Sequence, residues 1–174
     1  MMSLLLALST LTSAHAGSLS AALGTASTFD GDPASLRASF RAESTPTPGP
    51  VLAASLVMPV TVATEGNESF GVSTNQTLVE LPPSVRVRLF PNSIVRAYGD
   101  AGAGIALQTS TTDGWLFEDR DSVASFMTRT TLGAEIGAPD GLSMLIEPAS
   151  LSTYHAGPDV RATYGLMLGI SGVL

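Results

Sequence analysis

The sequence contains no cysteine and no lysine, and it is poor in charge and in aromatic rings. Without cysteine there is no disulfide framework, thiolate metal site or thiol nucleophile. Charged residues make up 13% of the 174, about half the share of an ordinary globular domain. All eight cations are arginine and stand against fifteen acids, so the formal net charge is −7. An acidic chain of this kind is unsuited to a nucleic-acid backbone. No apolar run beyond the N-terminus approaches the roughly 18 residues of a membrane-spanning helix. Yet 44% of the residues are hydrophobic, which excludes intrinsic disorder. The length suits one domain.

The first sixteen residues read MMSLLLALSTLTSAHA. Leu4 to Leu8 form an apolar core, and Ala14-His15-Ala16 obeys the small-x-small rule before a cleavage site. Residues 1–16 are therefore expected to be a secretory signal peptide, with residues 17–174 as the mature domain. Only the terminal amine supplies the positive charge such signals carry. His155 is then the one histidine of the mature chain.

Most of the remaining chain alternates with period two, the mark of β-strands. In Ser35 to Glu43, Leu36, Ala38, Phe40 and Ala42 share one face, and Arg37, Ser39, Arg41 and Glu43 share the other. In Thr77 to Leu89, Val79, Leu81, Val85, Val87 and Leu89 oppose Glu80, Ser84, Arg86 and Arg88. Pro82-Pro83 interrupts that run and predicts a break in its hydrogen bonding. Ile94 to Gln108, Ser125 to Gly137 and the last strand around Tyr164 to Ser171 alternate in the same way. Gly17 to Thr28, Pro50 to Ala63 and Gly141 to Leu151 complete a set of eight strands, and no helical period of useful length is found. TPTPGP (Thr45 to Pro50), FPNS (Phe90 to Ser93) and APDG (Ala138 to Gly141) read as tight turns. Ala63 to Gln76, Ser110 to Ser122 and Ser152 to Asp159 read as longer, polar, acidic loops. The connection at Phe29 to Pro33 is short.

The polar parity decides which face is inside. It is built of Gly, Ser, Thr and arginine–carboxylate pairs, a poor surface for a soluble sheet. The apolar parity of Leu, Val, Ile and Ala suits lipid, and a transmembrane barrel is apolar outside and polar inside. The sheet must close because lipid cannot satisfy its edges. The predicted fold is thus all-β: an eight-stranded antiparallel up-and-down transmembrane β-barrel preceded by a cleavable signal peptide. Arg37, Arg41, Arg86, Arg88, Arg96 and Arg129 are expected in the lumen with Glu43, Glu80, Asp100, Glu135 and Glu147. Eight strands enclose a space that side chains can fill, so a salt-bridged plug is expected rather than a channel. Gly102, Gly104, Gly133 and Gly169 are expected to leave room for the arginines.

The block LVELPPSVRVRLF-PNSIVRAYGDAGAGIAL (Leu78 to Leu107) and the closing ATYGLMLGI (Ala162 to Ile170) resemble the outer-membrane β-barrel family of small OmpA-like and opacity-like barrels. The resemblance covers the whole mature chain. One departure is the C-terminus, Gly172-Val173-Leu174, where the family usually ends in an aromatic residue. The resemblance implies a bacterial outer-membrane location, with both termini and the short turns in the periplasm. It implies membrane lipids, periplasmic chaperones and the barrel-assembly machinery as partners, and extracellular loops that can meet an unknown ligand. Phe90 would then lie near the periplasmic interface, and Phe70, Phe126 and Tyr164 near the outer one.

Chemistry is sparse. Ser152, His155 and Asp159 contain the residue types of a hydrolytic triad but sit within one loop. Asp113, Glu118, Asp119 and Asp121 offer oxygen ligands in a pattern that matches no calcium loop, so solubilising charge is the better reading. Trp115 and Phe117 are apolar residues of that same loop and are candidate contacts. Gly99-x-x-Gly102-x-Gly104 precedes no helix and fails as a phosphate loop. No catalytic residue, metal or cofactor is expected. A structural or surface-interaction barrel is the leading reading. The alternatives are a narrow porin-like channel, a lipid-modifying enzyme and a soluble lipocalin-like barrel that binds an apolar ligand.

Overall fold

The structure, a computed structural model, describes residues 16–28, 35–47, 49–69, 72–114, 117–157 and 159–174. Nine strands are present among them: β1 (Ala16–Thr28), β2 (Ser35–Ser44), β3 (Leu52–Ser69), β4 (Val72–Leu81), β5 (Ser84–Leu89), β6 (Val95–Gly114), β7 (Phe117–Gly137), β8 (Leu142–Ala156) and β9 (Asp159–Val173). Both β4 and β5 pair with β3 on one side and β6 on the other. They are two halves of one strand, so the sheet has eight positions. All neighbours are antiparallel, and β9 returns to pair with β1. The barrel is closed.

The register fixes its dimensions. Directly opposed residues run Ser18, Glu43, Val57, Ser84, Gly102, Arg129, Ser152, Thr163 and back to β1 at Thr28. The circuit re-enters β1 ten residues beyond its start. With eight strands and a stagger of ten, standard strand spacings give a tilt of about 40° and a backbone radius of about 8 Å. Such a lumen has room for side chains and little else.

The break between β4 and β5 has a local cause. The ladder with β3 lapses between Thr61↔Glu80 and Val57↔Ser84. That interval holds Pro59 on β3 and Pro82-Pro83 on the other strand. Three residues there have no N–H to donate. β6 closes in on the break: a Cβ on Gly104 would come within 2.0 Å of the Leu81 carbonyl oxygen. A Cβ on Gly102 would meet the Pro83 carbonyl at 2.4 Å, and one on Gly169 the Ala21 carbonyl at 2.2 Å. These glycines therefore allow backbones to approach, rather than making room for arginine. Gly133 makes room for a ring instead, since its Cβ would strike Tyr98 at 2.5 Å.

The polar connections expected as loops are largely strand. The β3–β4 ladder continues to Ser69↔Val72, β6–β7 to Gly114↔Phe117, and β8–β9 to Ala156↔Asp159. Alternation of hydropathy is lost there, but the backbone ladder needs no apolar face to continue, and Thr and Ser accept extended geometry. Three tall hairpins thus rise at the end opposite the termini. At the near end the connections are short. In one of them Phe90 adopts a left-handed backbone, φ 53°, and its carbonyl accepts from Ser93 N–H at 2.9 Å.

Candidate functional site: the charged lumen

The burial pattern is inverted relative to a water-soluble sheet. Leu23, Leu36, Leu56, Leu132, Leu168 and Ile170 are each more than half exposed on the outer wall. Arg37, Arg86, Glu80 and Glu147 are at most 1% exposed. All eleven charged residues of the polar parity face the lumen and are buried. The structure gathers them into three tiers along the barrel axis.

The tier nearest the termini holds three arginines and three carboxylates. Arg86 donates side-on to Asp100 through Nε and Nη2, at 2.7 and 2.8 Å. Its Nη1 also reaches Glu43 and Glu135, at 3.3 and 3.2 Å. Arg88 bonds Glu43 through Nη1 and donates to Glu135 at 2.8 Å through Nη2. Arg96 donates to Glu135 at 3.1 Å and to Ser143 Oγ at 2.6 Å, and its Nη1 caps the Ser93 and Gly137 carbonyls. Paired, hydrogen-bonded charges of this kind can be held out of water, whereas lone ones cannot.

The middle tier is one pair and its orienting ring. Arg41 grips both oxygens of Glu147, the Nη2–Oε2 contact being 2.7 Å. Tyr98 donates its hydroxyl to Glu147 at 2.6 Å. The Arg86 guanidinium lies 4.0 Å from the centre of the Tyr98 ring, which ties this tier to the one below.

The third tier, toward the tall hairpins, is unequal. Glu80 alone serves Arg37 at 3.1 Å and Arg129 at 3.4 Å, and it accepts from the Tyr154 hydroxyl. Arg37 Nη2 also donates to Tyr154 and Thr163, at 3.0 and 2.9 Å. Arg129 donates to Thr61 at 2.9 Å. The Met167 sulfur touches both Arg41 and Arg129. The tiers therefore form one continuous column.

Sequence reasoning missed Tyr98, Tyr154 and Met167 as members of the column. Tyr98 shares parity with Arg96 and Asp100, which was a usable signal. Tyr154 fell in an expected loop, and Met167 shares the polar parity of Gly165, Gly169 and Ser171, a second usable signal. Ser152 and His155 do not meet: Ser152 is buried in the lumen, while His155 lies exposed on the outer wall against Phe126, ring centres 6.0 Å apart. Adjacent strand parities send them to opposite faces. Trp115 lies outside the described residues, as do Phe70 and the Phe117 side chain. Phe90, Phe126 and Tyr164 are outward and about half exposed. Among the described residues no group of three metal-ligating side chains forms.

The column divides the interior. A vestibule of about 360 Å³ opens at the terminal end and a cup of about 240 Å³ at the other. Beside Arg41, Asp100 and Arg129 between them the void is about 10 Å³, the room of one water.

No protein-family model matches the sequence, and no curated protein does. Solved structures do match. Neisserial surface protein A superposes with a TM-score of 0.59 at 14% identity, covering 90% of this chain and 95% of its own. The fold is that of the small outer-membrane β-barrels. Ail, the attachment invasion locus protein of Yersinia pestis, seen with the heparin analogue sucrose octasulfate, gives 0.54 at 17% identity over 91% and 97% of the two chains. The outer-membrane enzyme PagL gives 0.51 at 16% identity over 87% and 97%. One barrel thus carries a surface protein, an attachment protein and an enzyme, so activity must be argued from this chain's own residues.

Proposed function

We propose that this chain is an integral bacterial outer-membrane protein: a sealed, non-enzymatic barrel that anchors an acidic outer end. The single observation behind this reading is the inversion, an apolar outer wall around a buried ion-pair column. Water would not favour that wall, and hydrocarbon would not tolerate that column on the outside. Residues 1–16 are read as the export signal, and membrane lipids, periplasmic chaperones and the barrel-assembly machinery as partners. The narrow middle of the lumen argues against a pore. The separation of Ser152 from His155 removes the one hydrolytic set the sequence offered.

The charge is distributed to match. The lumen holds six arginines and five carboxylates. Of the remaining ten acids, Asp140 is in a short turn and nine fall by sequence at the tall-hairpin end, with Arg120 and Arg161. That end therefore carries the net −7. A polysulfated ligand such as the one seen on Ail would be repelled, and a cationic or neutral surface favoured. Trp115 and Phe117, between Gly114 and Glu118 in the sequence, are the proposed apolar contacts.

Expression in a Gram-negative host tests this. The protein should fractionate with the outer membrane and migrate differently on gels before and after heating. Recovery as a soluble periplasmic protein would overturn the reading.

A further inference from the structure

The ion-pair column is not balanced tier by tier. The first tier sets three arginines against three carboxylates and the second one against one, but the third sets Arg37 and Arg129 against Glu80 alone. The surplus cation is therefore local. Arg37 is 1% exposed, and its Nε and Nη1 have no protein acceptor. A guanidinium edge so buried and without a protein acceptor is costly. Arg37 also lines the 240 Å³ cup, with Tyr154 and Thr163 beside it. The cup's wall includes Ala26, Ala63 and Leu78. It thus has the buried Arg37 at its floor and a mixed lining, in which Ala26, Ala63 and Leu78 stand with Gln76, Gln108, Glu65 and Arg161.

We propose that this cup binds a small aliphatic carboxylate, its anionic head on Arg37 and its short tail along Ala26, Ala63 and Leu78. A ligand carboxylate supplies the second anion that the third tier lacks, and a compact tail fills the wall. The acidic outer end, Glu65 in the cup's own lining included, does not forbid this, because Arg161 lines the cup as well. Exposed carboxylates are screened over about 8 Å at physiological salt, and the buried guanidinium is screened far less.

The test uses the mature barrel folded in micelles, with butyrate as probe. Butanol and chloride at equal concentration are the controls. The Arg37 Nε–H resonance should shift saturably with butyrate, with butanol and chloride giving less than a tenth of that response. Ala63→Leu narrows the cup without touching the floor and should weaken butyrate at least tenfold in a barrel that still shows heat-modifiable migration. Arg37→Met should abolish binding; if that variant does not fold, Ala63→Leu decides. A linear, non-saturating shift, an equal response to chloride or butanol, or undiminished binding in Ala63→Leu would overturn the proposal.

Discussion

At the residue scale the most consequential side chain is Glu80. One carboxylate holds two buried guanidiniums and a tyrosine hydroxyl. Removing its charge leaves Arg37 and Arg129 without an anion. Breaking a buried pair in this way typically costs about 3–5 kcal/mol. Glu80→Gln should therefore lower the unfolding free energy of the micelle-folded barrel by that amount, obtained from a urea titration read by the heat-modifiable band. A change below about 1 kcal/mol would mean that the third tier is wet enough to screen its charges. The apolar outer wall gives a complementary case. Leu23 and Leu168 are opposed on β1 and β9 and both face outward. Leu23→Arg should cost about 2–4 kcal/mol near the bilayer midplane, whereas a soluble barrel would accept it. Parity alone placed the eleven charged residues on one side, because side-chain direction follows from period two. The partners were not legible. Arg88 and Glu43 are 45 residues apart, and their meeting depends on the stagger of the closed sheet, which no local pattern encodes.

At the element scale the instructive feature is the proline break. Pro82-Pro83 announced it in the sequence, and the structure splits that strand into β4 and β5 there. What the sequence did not reveal is that Pro59 stands in the facing interval of β3, or that β6 answers with glycine. Both are matters of register between strands. Gly104→Val would drive a side chain into the Leu81 carbonyl and Pro82 Cα. It should destabilise the barrel by about 2–3 kcal/mol or more, measured by the same urea titration. Ala103→Val, one residue away on the exposed wall, should change stability by less than about 0.5 kcal/mol. Equal effects at the two sites would contradict the close approach. The tall hairpins show the other limit of pattern reading. Once a strand leaves the region where its two faces meet different surroundings, alternation vanishes while pairing persists. The polar ends of β3, β6 and β8 looked like loops for that reason.

At the scale of the whole molecule, low charge and high hydropathy without a membrane helix have one origin. Outward apolar residues occupy every second position rather than running together, and charge is confined to the lumen, the tall-hairpin end and Asp140 in a short turn. A lumen filled this way should not conduct. Planar bilayers containing the protein are expected to show no steady current, and replacing Arg41, Glu147 and Arg129 together by Ser should open one. A native protein that conducts would contradict the seal. The absence of cysteine makes the central claim directly measurable. Single cysteines placed in turn at positions 52 to 58 of β3, a stretch without glycine, and spin-labelled in liposomes, report contact with lipid-dissolved oxygen and with an aqueous nickel complex. A period of two is expected: labels at 52, 54, 56 and 58 see oxygen and little nickel, while those at 53, 55 and 57 are packed and see little of either. Nickel accessibility at the even positions would contradict it.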